Sequence, residues 1–300
     1  MSAWITGVEG TEAASTVALI LALMAALLHA VFGALQKGRH DPLLARGAID
    51  AFYALIAMPF ALFVVPWPEP HMWPIFAGAF VIHVLYKWAT LAAYRRGAYT
   101  VVYPVMRGTG PLFAIIGAYL LFGETFAPMQ WMGVGVLLAG LYGLAAYNLV
   151  HVTVDRDRLV PALAFAVLTG LFVALYTTYD AYGIRATADP FTFLAWFFFI
   201  DGLLFPFIAL RFYRRLADPP PLGSLMARGL FGAFVAFASF GSIMLATRLD
   251  SVGEAAVLRE TSTVFAALIG WLFLGERVGP RRLALMGLIA AGAVIVEFGG

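Results

Sequence analysis

Ten ionisable side chains stand inside long apolar stretches of this 300-residue chain: His29, Asp50, His83, Lys87, Arg107, Asp180, Asp201, Glu254, Arg259 and Glu260. Placing Asp, Lys or Arg at the centre of a membrane helix costs roughly 2.5–3.5 kcal/mol even on the milder insertion scales. Such groups must pair with one another or face a wet cavity, and they mark routes for solutes or ions. Their spacing groups them. His83 and Lys87 are one helical turn apart with Tyr86 beside them, and Tyr103 and Arg107 repeat the same i, i+4 spacing. Counting along the helices puts Asp50 ~9 Å and Arg107 ~12 Å from one membrane face, and Asp201 ~16 Å and Arg259 ~12 Å from the other. Equal sides predict two pairs, Asp50–Arg107 and Asp201–Arg259, acting either as structural ion pairs or as a gate. Asp180 and Arg185 fall at or beyond the end of their stretch and are expected in solvent.

Enzyme chemistry is not expected. There is no cysteine, no serine and histidine in a nucleophile motif, and no His/Glu spacing that suits a metal. Asp180 and Asp201 could be compared with an aspartyl dyad, but their depths differ too much for two carboxylates to share a proton. No cofactor and no metal are therefore predicted.

The elements that hold these residues follow from composition. Hydrophobic residues make up 62% of the chain and charged ones 12%, where a soluble domain has about 25% charged residues. No soluble interior could hide that much apolar surface, so lipid is the expected solvent and the bilayer the expected surroundings. Apolar runs long enough to cross ~30 Å of hydrocarbon recur at about 13–36, 44–65, 73–95, 100–122, 128–148, 160–182, 190–211, 224–247, 252–274 and 280–298. The connections are short and rich in Gly and Pro, as in Pro66-Trp67-Pro68-Glu69-Pro70 and Asp218-Pro219-Pro220-Pro221. No basic leader precedes the first run, which reads as a retained helix and not a cleaved signal. The net charge is +2 without a basic stripe, which argues against nucleic acid as a partner.

The chain repeats itself. A shift of 152 residues aligns Arg96 with Arg248, Arg107 with Arg259, Thr109 with Thr261, Gly123-Glu124 with Gly275-Glu276, and Pro128 with Pro280. Apolar composition alone would not bring Arg, Thr, Gly-Glu and Pro into one register, so duplication is the better account. The expected fold is all-α: a polytopic membrane protein of ten transmembrane helices in two five-helix repeats, residues 1–150 and 151–300. Five is odd, so the second repeat must thread the bilayer in the opposite sense. Inverted repeats of this kind are typical of secondary transporters. Arg and Lys crowd the odd-numbered loops, which the positive-inside rule assigns to the cytoplasm; both termini are then outside. Gly135-x-x-x-Ala139 and Gly287-x-x-x-Ala291 offer small-residue faces for packing the halves together.

Ten helices in two repeats, each with a fourth helix ending in Gly-Glu before a Pro-led fifth, resemble the EamA-type branch of the drug/metabolite transporter superfamily. Length and aromatic content are similar to its YddG-type amino-acid exporters. The resemblance implies a cytoplasmic (inner) membrane transporter that exports amino acids or similar small amphipathic metabolites. It would work by alternating access through a cavity between the repeats, functional as a monomer; other metabolites or cationic drugs are the alternative cargo. Many relatives keep both termini in the cytoplasm, the reverse of what the basic residues here argue. An amino acid needs a cation for its carboxylate, acceptors for its ammonium and apolar walls. Lys87 and His83 suit the first need, and Tyr86, Tyr103, Tyr176 and Trp196 the walls and cation–π contacts, with His29 added from the first helix. Each has a plainer role available: a helix–helix hydrogen bond for a histidine, snorkelling for Lys87, packing for an aromatic. His29 is the only ionisable group in the first helix, which points to uniport or weakly coupled exchange.

Overall fold

Short signals start and stop the helices. In the computed structural model, which describes residues 2–36, 40–97, 99–151, 156–274 and 279–300, the chain is helical throughout, with no strand among the described residues. The elements are α1 (Ser2–Val8), α2 (Glu12–Gln36), α3 (Pro42–Phe63), α4 (Met72–Arg96), α5 (Tyr99–Phe122), α6 (Pro128–His151) and α7 (Arg156–Arg185). They continue as α8 (Pro190–Asp201), α9 (Leu204–Tyr213), α10 (Leu222–Leu249), α11 (Val252–Leu258), a 3-10 turn (Arg259–Thr261), α12 (Ser262–Leu274) and α13 (Pro280–Phe298). Asp41 and Asp189 cap the helices that follow them, each accepting from a backbone N–H two residues on at 2.8 and 3.0 Å, with Pro in the first helical position. Gly123 ends α5 at φ +68°, a left-handed conformation that favours glycine.

Among the described residues, eight helices are long and apolar enough to cross a membrane. The expected ten spans are thus not all continuous. The seventh is interrupted at Gly202-Leu203, between α8 and α9, though its length and composition still suffice. The ninth is broken into α11, the 3-10 turn and α12. The tenth is the 19-residue α13, which opens on Arg281 and Arg282.

Bundle surface and interior follow the lipid logic. Phe63, Leu120, Phe207 and Leu272 are well exposed, which costs nothing against hydrocarbon. Two cores fill the interior. One is aromatic, joining Tyr53, Phe76, Phe193, Trp196 and Phe198 between α3, α4 and α8. The other is built from small and aliphatic residues, among them Ala18, Ala22, Leu137, Leu141, Ile289 and Ala293, between α2, α6 and α13. The closest helix pairings are α6 with α13, α2 with α10, α4 and α5 with α7, and α3 with α8, α9 and α10. The expected pairing of the fifth and tenth spans is present, but not through the predicted face. Gly135, Ala139, Gly287 and Ala291 are exposed. Gly133 meets the backbone of Gly292 and Val296 instead, and Gly140 that of Leu285 and Ile289. Residues 133 and 135 are two apart, about 200° around a helix, so only one of them can face the partner.

Candidate functional site

The buried charges gather in two linked groups around the two helix breaks of the second half. α3 supplies Arg46 and Asp50, one turn apart, and α4 supplies His83 and Lys87 at the same spacing. Asp201 is the last residue of α8, so its carbonyl lacks a helical partner. Lys87 Nζ donates to Asp50 Oδ2 at 2.8 Å, to Asp201 Oδ1 at 2.9 Å and to that freed Asp201 carbonyl at 3.0 Å. An ammonium has three N–H donors, and all three are used. Arg46 lies 2.8 Å from Asp50 Oδ1 and 3.6 Å from Asp201 Oδ2. Gly202 permits this approach, since a side chain there would run into the backbone of Asp50 and Ala54.

The network continues along α4 towards the opposite end of the bundle. His83 Nε2 lies 2.9 Å from Asp180 Oδ2, and His83 Nδ1 lies 4.0 Å from Asp201 Oδ1. The ring lies tilted against Tyr176 with centroids 4.7 Å apart, and Tyr86 meets Tyr176 edge-on at 5.0 Å. Tyr176 OH accepts from Arg259 Nη2 at 3.1 Å. Arg259 opens the 3-10 turn, and its carbonyl accepts from Arg107 Nη2 at 3.1 Å. Arg107 also donates to Ser262 Oγ at 2.9 Å, and its Nε lies 2.7 Å from Glu260 Oε2.

The predicted pairs are therefore not those formed. Asp50 binds Lys87 and Arg46, not Arg107; Asp201 binds the same two cations, not Arg259. Arg107 pairs with Glu260, and Arg259 with the Tyr176 hydroxyl. Depth counted along single helices cannot say which helices are neighbours. Asp180 corrects a second expectation: α7 runs on to Arg185, so Asp180 is buried at 3% exposure instead of lying in solvent. Arg185 too is engaged, donating to the carbonyls of Thr247 and Asp250 at 2.8 and 2.7 Å. Nothing in the composition of residues 178–186 distinguished a helix end from its continuation.

Of the expected ligand residues, His83, Tyr86, Lys87 and Tyr176 come together, and Tyr103 lies beside them over Arg107 with 5.9 Å between guanidinium and ring. His29, on α2 against Phe32, lies within electrostatic range of Arg107 and Arg259. Trp196 is elsewhere. It packs with Trp67 and Trp73 at 5.0 and 5.2 Å, beneath the 66–70 connection.

Two places in this network are incompletely satisfied: Arg46 Nε makes no hydrogen bond among the described residues, and a larger gap lies beside Asp180. Asp180 Oδ1, Thr177 Oγ1 and Arg259 Nε make no hydrogen bond among the described residues. All three residues line one cavity of about 10 Å³ with Tyr176, Phe240, Ile243, Met244 and Thr247. That volume suits roughly one water. A larger cavity of about 220 Å³ lies at the opposite end, lined by Phe32, His40, Ile49, Arg228 and Phe231 among others, and shares no residue with the network. The small cavity is the better candidate site, because only there do a carboxylate, a hydroxyl and a guanidinium face one space without partners. Every charged residue of the network except Arg46 is at most 5% exposed, so the site is closed to both ends.

The Gly-Glu motif also finds its use. Glu124 reaches into the second half and caps α11: its carboxylate accepts from Val252 N and Gly253 N at 3.0 Å and from Ser251 Oγ at 2.9 Å. The first repeat's motif thus fixes the start of the second repeat's broken helix. Glu276, its counterpart, lies outside the described residues.

A model of the EamA-like transporter family matches the chain twice, over residues 16–146 and 160–298. No curated protein matches the sequence significantly. One solved crystal structure has a similar fold, with a TM-score of 0.72 at 17% identity, over 96% of this chain and 99% of its own.

Proposed function

The chain belongs to the EamA-like transporter family, and we propose that it carries a small zwitterion of the amino-acid type, gripped between Asp180 and Arg259. Membership makes it a membrane transporter of small solutes and sets it apart from enzymes. One observation carries the finer reading. A buried carboxylate oxygen and a buried guanidinium nitrogen, both unpartnered, belong to residues that line the same cavity as Thr177, whose hydroxyl is unpartnered too. An α-amino acid offers an ammonium for the first and a carboxylate for the second. Tyr176 and Phe240 give it aromatic and apolar walls. Lys87, whose donors are all taken, holds the frame instead of the solute.

The cavity is too small for an amino acid in this closed form, so loading requires the helices around it to part. The 152-residue repeat and five spans per repeat support inverted halves that open to either side in turn. The contact pattern supports the same two-fold relation. α2 with α10 has its counterpart in α7 with α4, α12 with α2 in α5 with α7, and α6 with α13 is its own. Basic residues support a cytoplasmic location for the Arg46 end and an external one for both termini, in an inner membrane. Export is the direction that a high internal solute concentration drives, and one chain contains the complete site. A discontinuous helix at the solute, here α11/α12 with Arg259 in its break, is a recurring device of secondary transporters.

The test is uptake into proteoliposomes against a panel of amino acids, polyamines and cationic dyes. Saturable uptake with counterflow of an amino acid, lost in Asp180→Asn and Arg259→Gln, is the expected result. Transport of cationic dyes that needs Asp180 but not Arg259 would favour drug cargo. Flux without saturation or counterflow would mean a pore.

A further inference from the structure

His83 sits between two buried carboxylates, and its position defines what a proton on its ring does. One ring nitrogen lies 2.9 Å from Asp180 Oδ2, and the other points towards Asp201 Oδ1 at 4.0 Å. Both nitrogens face carboxylate oxygens. A neutral imidazole would turn a lone pair on one of them, whereas a protonated ring presents a donor to each. The count of charges agrees locally. Arg46 and Lys87 are two cations against three carboxylates, Asp50, Asp180 and Asp201, which leaves room for one further positive charge at His83.

The groups facing the pair are defined on every side. α4 itself adds Tyr86 and Lys87, the latter committed to Asp50 and Asp201. α7 adds Tyr176, and α8 adds Asp201 and Phe197, whose ring meets the imidazole edge-on at 4.9 Å. α10 presents Phe240. The 3-10 turn contributes Arg259, across the small cavity from Asp180, and behind it α5 contributes Arg107, neutralised by Glu260. Counting these as well, the protonated network carries one net positive charge, on the Arg259 side. A solute carboxylate arriving at Arg259 cancels it. The solute ammonium then meets Asp180, which already shares its single negative charge with the His83 imidazolium. Two cations on one buried carboxylate repel strongly in a low dielectric, and the mobile one is the proton.

We propose that His83 holds one exchangeable proton between Asp180 and Asp201, that a solute ammonium reaching Asp180 expels it, and that transport is thereby coupled to counter-movement of protons. This goes beyond the zwitterion reading and in its second half rests on it. It replaces the uniport or weakly coupled exchange expected from the first helix, where His29 is the only ionisable group among the apolar residues. No bond other than N–H is broken: the proton leaves His83 Nδ1 for water, Nε2–H stays on Asp180 Oδ2, and the solute N–H takes the free Asp180 Oδ1.

Two measurements on the full-length protein test the proposal, and they fail separately. In the first, histidine ring nitrogens are labelled and read by NMR in lipid nanodiscs between about pH 5 and pH 8, with His83→Gln to assign the signal among five histidines. The expected result is a doubly protonated His83 ring near neutral pH that becomes neutral in Asp180→Asn. A ring neutral throughout, or indifferent to Asp180→Asn, overturns the proton site whatever the protein transports. In the second, proteoliposomes enclosing a pH dye receive the amino-acid panel with and without a pH gradient. The gradient should raise the uptake of the transported amino acid in the native protein, with the dye reporting proton counterflow, and this ratio should fall to about one in His83→Gln. A ratio unchanged in His83→Gln overturns coupling. If no panel solute moves at all, the zwitterion reading fails while the NMR result still decides the proton site.

Discussion

Two helix breaks lie in the second half of this protein, and both are stapled by a cation from the first half. At Gly202, Lys87 takes the freed carbonyl of Asp201; at the 3-10 turn, Arg107 donates to the carbonyl of Arg259, which also accepts from Ser262 N. There the likeness ends. At the first break every donor of Lys87 is used and both carboxylates are matched, and the one nitrogen left over, Arg46 Nε, lines neither cavity. At the second, Arg259 keeps an unpartnered nitrogen beside a cavity, and Asp180 across that cavity keeps an unpartnered oxygen. Saturated charge is architecture, because nothing is left over to bind a guest; the surplus at the other break is what a guest can use. The corresponding helices of the first half, α3 and α5, run unbroken through their described residues, so the duplicated copies have divided this labour.

The largest effect should come from the saturated break. Lys87→Met leaves Asp50 buried against Arg46 alone and Asp201 against Arg46 and the more distant His83, and removing one partner of such a set costs about 3–5 kcal/mol. The expected readout is a collapse in the yield of monodisperse protein in detergent. Arg107→Met should cost less, about 1.5–3 kcal/mol, since Arg259 has a free nitrogen with which to approach Glu260. If thermal unfolding in detergent shows the two variants equally damaged, the contrast between a saturated and an adaptable break is wrong. Glu124→Ala removes the cap of α11 upstream of the second break and should lower stability by about 1 kcal/mol. Its sharper prediction is faster amide hydrogen exchange confined to residues 252–258. Thr177→Val deletes one unpartnered hydroxyl and keeps the shape. Stability should change by less than about 0.5 kcal/mol, while apparent affinity for the transported solute drops by about fivefold, close to one lost hydrogen bond. A stability loss without a change in affinity would mean that Thr177 belongs to the scaffold.

Much of this could be read from the residues. Apolar runs and the 152-residue repeat gave the helical class, the membrane setting and the family resemblance, because burial in lipid demands long uninterrupted apolar sequence. His83, Tyr86, Lys87 and Tyr176 could be singled out because polar groups in such runs need a reason. Their partners could not, since Lys87 meets Asp50 and Asp201 only after three helices have packed. Glu260 was visible next to Arg259, but nothing in the linear order said that Arg107 would cross to it. The break at 259–261 was equally hidden: α5 carries Pro104 and Pro111 and stays helical, whereas the broken segment contains no proline at all. What interrupts it is a set of polar contacts from other helices, which hydropathy does not register. Asp180 escaped for a simpler reason, an end assigned three residues too early.

The seam between α6 and α13 sets a limit on how the molecule can move. At Gly133, Gly140 and Gly292 the two backbones touch with no side chain between them, so neither helix can slide along the other without collision. Any displacement of one half against the other must then swing about this line like a door on its post. The helices farthest from it, including α3 and α4 with their charges, would travel most.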